Sequence, residues 1–374
     1  MYLPSDGKIQ SPPMRYTGQV DLKISEASMR LGSFIFPVSH YPYSDSSVID
    51  STLEEIEFAE RIGLDAVWLT EHHFDGAVAY ADPLVFGAAV AARTKHVKIG
   101  FAVVELALHH PVRLAVQTST LDNLSHGRLI VGTGRGSAFN HYEYIGYGID
   151  MQDGIDRLDE NEELLMKAWT ETPLKHEGEH WQMKFPMLRP RPYQKPHPPL
   201  IRACISEASS IAMARIGRPI MLGILPLESL TDRLNAFRDT MLQSGFDEQT
   251  TAATFDQCWA SRNVFVADTH EEARELAEYG FARERRHFGE ARRLFNPGGG
   301  PTQQGSGTSS ARESLEMSFI MGTPSQVAEE LMAFKSAGVP NLMLKFNTGQ
   351  MEPQKVQASM RLFGEKVMPI IHRR

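Results

Sequence analysis

Apolar residues recur along this chain in two alternating rhythms. Short runs rich in Val, Ile, Leu and Phe read as buried strands: Arg30–Val38, Ala66–Thr70, Val97–Val104, Leu129–Thr133, Leu200–Ala203, Ile220–Leu225, Arg262–Val266 and Leu342–Phe346. Between them, apolar residues fall three and four apart. In SSVIDSTLEEIEFAERIG, residues 46–63, Ile49, Leu53, Ile56, Ala59 and Ile62 form one helical stripe, and Gly63 stands where a helix would stop. The same spacing predicts helices over 82–94, 111–124, 154–170, 206–216, 228–244, 269–287, 323–337 and 353–367.

Strands that alternate with helices imply parallel pairing through right-handed crossovers, either in an open doubly wound sheet or in a closed barrel. Eight repeats favour closure. The expected fold class is therefore α/β, a (β/α)8 TIM barrel, whose functional residues gather at the C-terminal ends of the strands. Two insertions break the rhythm. The first, 173–198, follows the fourth strand and is too rich in proline for a helix; the second, NPGGGPTQQGSGTSSAR at 296–312, follows the seventh and has the composition of a flexible loop, either a lid or a surface excursion. Residues 1–28, with Pro4, Pro12 and Pro13, read as an arm ahead of one domain spanning 29–374.

Composition narrows the class of protein. With 374 residues, 42% hydrophobic and 22% charged, the chain can build a large core. A formal net charge of -8 argues against a nucleic-acid partner, and the densest basic spots, 285–287 and 292–293, are interleaved with Glu284 and Glu290 as on a solvated helix face. Cys204 and Cys258 are the only cysteines and sit in apolar surroundings, so no disulfide framework is expected. No signal-peptide layout and no membrane-length apolar run is visible, which predicts a cytoplasmic protein with no membrane partner.

Four short motifs carry candidate chemistry. His176-Glu177-Gly178-Glu179-His180 matches a zinc pattern that requires a helix, but Pro173 before it, Gly178 at its centre and the alternation of Trp181, Met183 and Phe185 predict a β-hairpin instead; no metal site is expected. GTGRG (132–136) ends the fourth strand, where glycines allow close backbone approach and Arg135 can fork onto a phosphate; a structural turn accounts for it equally well. SEASS (206–210) opens a helix, with Ser206 as N-cap and Ser209 in the first turn, an arrangement that also suits phosphate. WLTEHHF (68–74) runs from a buried strand into Glu71, His72 and His73, either a structural histidine pair or an acid and base at the barrel mouth.

These motifs coincide in one family. The chain from about residue 29 onward resembles the bacterial luciferase-like flavin-dependent monooxygenases, TIM barrels that work with reduced flavin and oxygen. The resemblance rests on EHHF, on KIGFAVVELALHHPVRLAVQTSTLDNLSHGRLIVGTGRG (98–136) and on SEASS. It implies that His72 lies beside the reactive flavin ring, with His73 near it, Glu71 in support and Phe74 packed as a wall. Gly134 and Arg135 would meet the flavin phosphate together with Ser206 and Ser209, and a non-proline cis peptide would join Ala102 and Val103 beneath the ring. Glu105 is either a substrate-specific acid or an ordinary partner of a nearby Arg or His. Asn140, His141 and Tyr142 are expected to line the site. Luciferase carries a reactive cysteine where Gly134 stands, so light emission is not implied.

The activity so implied is that of a two-component, FMN-dependent monooxygenase. A separate flavin reductase would supply FMNH2, O2 would add to give a C4a-peroxyflavin, and a small or medium organic substrate would take one oxygen atom. A homodimer or larger oligomer is expected. The alternatives on the same barrel are an F420-dependent hydride-transfer oxidoreductase and a non-catalytic flavin-binding subunit.

Overall fold

The structure is a computed structural model that describes residues 29–39, 44–76, 78–299 and 311–372. The expected arm at 1–28 and most of the loop expected at 296–312 lie outside the described residues. In chain order the strands are β1 Arg30–Ile35, β2 Ala66–Leu69, β3 Lys98–Phe101, β4 Val104–Glu105, β5 Leu129–Gly134, β6 Leu174–Glu177, β7 Gln182–Phe185, β8 Leu200–Cys204, β9 Ile220–Leu222, β10 Trp259–Val266, β11 Phe319–Gly322 and β12 Asn341–Lys345.

Eight of these close into a parallel barrel in the order β1, β2, β3, β5, β8, β9, β10, β12 and back to β1. They are the eight expected from the apolar runs. Three details differ. The third run is divided into β3 and β4, with a cis peptide between Ala102 and Val103. β10 starts at Trp259 rather than Arg262, because Trp259 and Ala260 pair with Met221 and Leu222 of β9 and complete the closure. β11, not anticipated, pairs with the distal half of β10, Asn263–Val266; its four residues directly follow a helix and carry too little pattern to register alone.

The insertion after β5 contains the expected hairpin, with β6 and β7 antiparallel and Leu174 opposite Phe185. His176 therefore faces Glu160, at 3.0 Å from Nε2 to Oε1, instead of sharing a helix face with His180. The helix expected over 269–287 runs from His270 to Phe295, with Ala273, Ala277, Gly280 and Ala291 buried along it. Thr269 caps its start by accepting the Glu272 N–H at 3.1 Å.

Alternation along the strands sorts side chains into two cores. Val67 and Leu69 of β2 face the surrounding helices, whereas Ala66 and Trp68 face the barrel interior with Ile201, Met221, Trp259 and Met343. The fully buried Trp68 and Trp259 meet edge to face, with ring centroids 4.9 Å apart. Glycines on both neighbouring strands make room for Trp68: a Cβ at Gly100 would lie 2.4 Å from its ring, and one at Gly32 would lie 2.9 Å away. On the outward side of β5 and β8, the buried Glu162 accepts from Thr133 Oγ1 at 3.0 Å and from Arg202 Nε at 2.7 Å, tying the helix Leu158–Thr170 to the barrel.

Gly100→Ala should thus force the indole out of its slot. The expected loss is about 1–3 kcal/mol, as for overpacked cores, read as a lower urea midpoint at unchanged slope. An unaltered midpoint would show that the interior is not close-packed around Trp68.

Candidate active site

Above the tryptophan layer, the C-terminal strand ends surround a cavity of about 640 Å³. Its floor and one side are apolar, formed by Phe34, Ala102, Val103 and Met343. Arg135, Ser206 and Ser209 line it as well, with charge and hydroxyls to offer an anion; Arg202, also in the lining, is paired with Glu162. Ser206 is the N-cap of the helix Glu207–Arg215: its Oγ accepts the Ser209 N–H at 3.1 Å, and Ser209 Oγ donates to the Ser206 carbonyl at 2.7 Å. The Arg135 guanidinium is exposed, while its carbonyl accepts the Tyr144 hydroxyl. Gly136 follows at φ 82°, a conformation that favours glycine, and a Cβ there would stand only 3.0 Å from Glu105 Oε2.

The EHH tripeptide follows β2. Glu71 is buried and its carboxylate ties two loops together: His73 Nε2 and His109 Nε2 each stand 2.8 Å from Oε1, and the Glu105 N–H donates to Oε2 at 2.7 Å. Burial would raise the Glu71 pKa, but the hydrogen bonds from His109 and His73 prevail and hold it down to about 2. His73 thus faces away from the cavity, and its Nδ1 lies 3.0 Å from the Tyr147 hydroxyl. His72 faces the cavity. Its Nδ1 stands 3.1 Å from Glu143 Oε1, and its ring lies edge-on to Phe36 and Phe288 at centroid distances of 5.3 and 5.8 Å. Burial disfavours a charged His72, yet the hydrogen bond and charge of Glu143 outweigh it and raise its pKa above the ordinary histidine value.

The model of the luciferase-like monooxygenase family matches residues 29–341. This chain belongs to that family. Among its relatives is the oxygenase component of the flavin-dependent trigonelline monooxygenase of Acinetobacter baylyi, 25% identical over 343 residues that span 87% of this chain and 91% of the relative. Monooxygenase RslO1 from Streptomyces bottropensis superposes with a TM-score of 0.79 at 29% identity, covering 91% of this chain and 99% of its own. The oxygenating constituent of 3,6-diketocamphane monooxygenase from Pseudomonas putida, solved with FMN, shares the fold with a TM-score of 0.74 at 22% identity, over 91% of this chain and 98% of its own.

As a luciferase-like protein, the chain brings most of the expected residues together. His72, Glu105, Ala102, Val103, Gly134, Arg135, Ser206 and Ser209 all line the one cavity, whereas His73 stands behind it. Phe74 does not form a cavity wall: it is 53% exposed, has φ 62° and packs on Tyr147 from outside. The basic stretch at 285–293 is not uniformly solvated either. Arg292 turns inward, its Nε donating to Asn140 Oδ1 at 3.0 Å and its guanidinium lying over Phe139 and Phe288. Among the described residues, only His72, Glu105 and Glu143 bring three ligand-type atoms within 4.8 Å of one another.

Glu143, Phe288, Arg292 and Lys345 were not anticipated. Lys345 Nζ sits 4.4 Å above the Phe36 ring and pairs with Glu284 of the helix His270–Phe295. That helix is distant in sequence from the EHH tripeptide, and no local spacing marks its contact with it.

The depressed Glu71 carboxyl makes stability depend on pH. Its contribution, about 3 kcal/mol from the shift, is complete above the unfolded value near 4.5 and is lost as pH falls toward 2. Glu71→Gln should therefore unfold at lower urea than the parent at pH 7, with the gap closing between pH 4.5 and 3. A gap constant across that range would mean that the carboxylate is not held by its histidines.

Proposed function

We propose that this chain is the oxygenase component of a two-component FMN-dependent monooxygenase. The observation that carries the reading is one cavity in which a guanidinium and two hydroxyls at a helix start accompany an apolar floor and the His72 ring. Such a cavity fits a flavin mononucleotide: Arg135, Ser206 and Ser209 would hold its phosphate, and the apolar residues Ala102, Val103, Phe34 and Met343 would hold its ring. Reduced FMN held there supplies the electrons that activate O2, one oxygen atom entering an organic substrate and the other leaving as water.

The chain's own residues bind, dry and protonate. Arg135 anchors the phosphate as a charge-assisted donor. Phe36 and Phe288 keep bulk water from the His72 side, leaving an apolar space suited to a small or medium neutral substrate. With Nδ1 directed at Glu143, His72 presents Nε2 to the cavity and there holds or moves a proton. A separate reductase supplies FMNH2.

Anaerobic titration with FMNH2 tests the cavity: Arg135→Ala should weaken binding at least about tenfold, the effect of losing one hydrogen bond to a charged group. Rapid mixing of the loaded protein with aerated buffer tests the chemistry. Oxidised flavin should appear only after a lag that free FMNH2 lacks, and His72→Asn should shorten the lag while leaving FMNH2 affinity within about threefold. Tight binding of reduced F420 with no effect on FMNH2 oxidation would replace this reading by hydride transfer, and an unaltered lag in His72→Asn would remove His72 from the chemistry.

A further inference from the structure

Three buried glutamates lie around His72, and their hydrogen bonding differs sharply. Glu71 has donors on both oxygens. Glu143, wholly buried, meets its partners on Oε1: the His73 N–H donates at 3.1 Å and Asn140 Nδ2 at 3.4 Å, and His72 Nδ1, which also lies 3.3 Å from Asn140 Nδ2, stands 3.1 Å away. Arg292 fixes the Asn140 amide by donating to its Oδ1, so the NH2 is the end turned toward Glu143. Glu143 Oε2 is buried with no hydrogen-bond partner, and so is Glu105 Oε2. The carboxyl groups of Glu105 and Glu143 lie within 4.8 Å of each other and of the His72 ring nitrogen.

Two buried carboxylates that close cannot both be charged, and two buried acceptors cannot satisfy each other without a proton. We propose that Glu105 and Glu143 share a single proton, with Glu105 the neutral acid in the cavity wall and Glu143 the carboxylate that positions His72 with its Nδ1–H turned inward. Glu143 collects the donors, which stabilise its charge. Glu105 has none on its side chain, and burial, together with the charges of Glu143 and Glu71, pushes its pKa well above the carboxylate range.

The other charged and titratable groups facing this set are Asp75, Arg292, Arg135, Tyr142, Tyr144 and Tyr147, with His73 and His109 behind Glu71. Asp75 favours a charged His72 and Arg292 opposes it. When the imidazolium passes its Nε2 proton to an acceptor in the cavity, its Nδ1–H stays on Glu143, and the Glu105 proton keeps the pair at one negative charge instead of two. Glu105 is thus a cavity acid that buffers the site's charge, and Glu143 is a positioning residue.

The inference rests on the flavin reading only for what occupies the cavity, and its test needs no flavin. Infrared spectra of the purified protein at pH 7 should contain, beside any contribution from the buried Glu55, whose pKa burial raises to about 7, the C=O band of a protonated, solvent-shielded carboxyl that is lost in Glu105→Gln. Nitrogen-15 NMR of the histidine rings, with His72 assigned by His72→Asn, should give a midpoint above that of free histidine. Glu143→Gln should lower that midpoint by roughly one pH unit or more, and Glu143→Asp should restore it. Glu105→Gln keeps the neutral donor and should leave the His72 midpoint nearly in place, so this variant still tests the pair if Glu143→Gln fails to fold.

No carboxyl band at pH 7 that is lost in Glu105→Gln, or a His72 midpoint indifferent to Glu143→Gln, would overturn the proposal. So would an equimolar divalent metal in the purified protein that is lost in Glu143→Gln, which would put a cation where the shared proton is placed. Failure of FMNH2 binding with the band and midpoints as expected would sink the flavin reading and leave the carboxyl pair standing.

Discussion

A closed parallel barrel must fill its interior, and in this chain the indole of Trp68 largely does so. Trp68 is wholly buried against Trp259, in a slot that exists because Gly32 and Gly100 carry no side chains. The plug sets the height at which the barrel stops being solid. Phe34, Met343 and Ala203, packed around the same interior cluster, become a floor, and everything polar has to lie above it. His72 follows Trp68 by four residues, which places it just past that floor once the strand has ended.

Above the floor, the low dielectric makes each buried charge depend on its immediate partners. Glu71 is surrounded by donors and binds the loop after β2 to the turn after β4, holding His73 and His109. Glu143 arrives on the short helix His141–Gly146, at the end of the glycine loop that also presents Arg135. The carboxylate that meets His72 and the arginine that lines the cavity therefore lie on one stretch of chain. The long helix His270–Phe295 completes the roof with Phe288, Arg292 and Glu284, so the His72 environment depends on two elements about 150 residues apart in sequence.

The legibility of the protein in its sequence followed the range of the forces involved. Eight strands, most helix limits and the hairpin turning near Gly178 could be read because each is written in local periodicity or in a backbone-specific residue. The cavity residues His72, Arg135, Ser206 and Ser209 could be read because each sits in a short motif at a strand end. Phe74 and Arg292 were misjudged for one reason: burial of a single side chain is decided by what packs on it, and Phe74 has open solvent where Arg292 has Phe139 and Phe288.

Sequence alone determined the barrel, the face of each strand and the end of the barrel at which chemistry gathers, because periodicity and strand polarity leave little choice. It also placed Glu71, His72 and His73 in order along the chain. Only the tertiary structure decided what each of them does. Glu71 is ionised by the donors that meet it, His73 is turned outward onto Tyr147, and His72 is aimed by Glu143 and capped by Phe288. Charge state and orientation are set by neighbours that approach through space, and no local pattern in the chain records them.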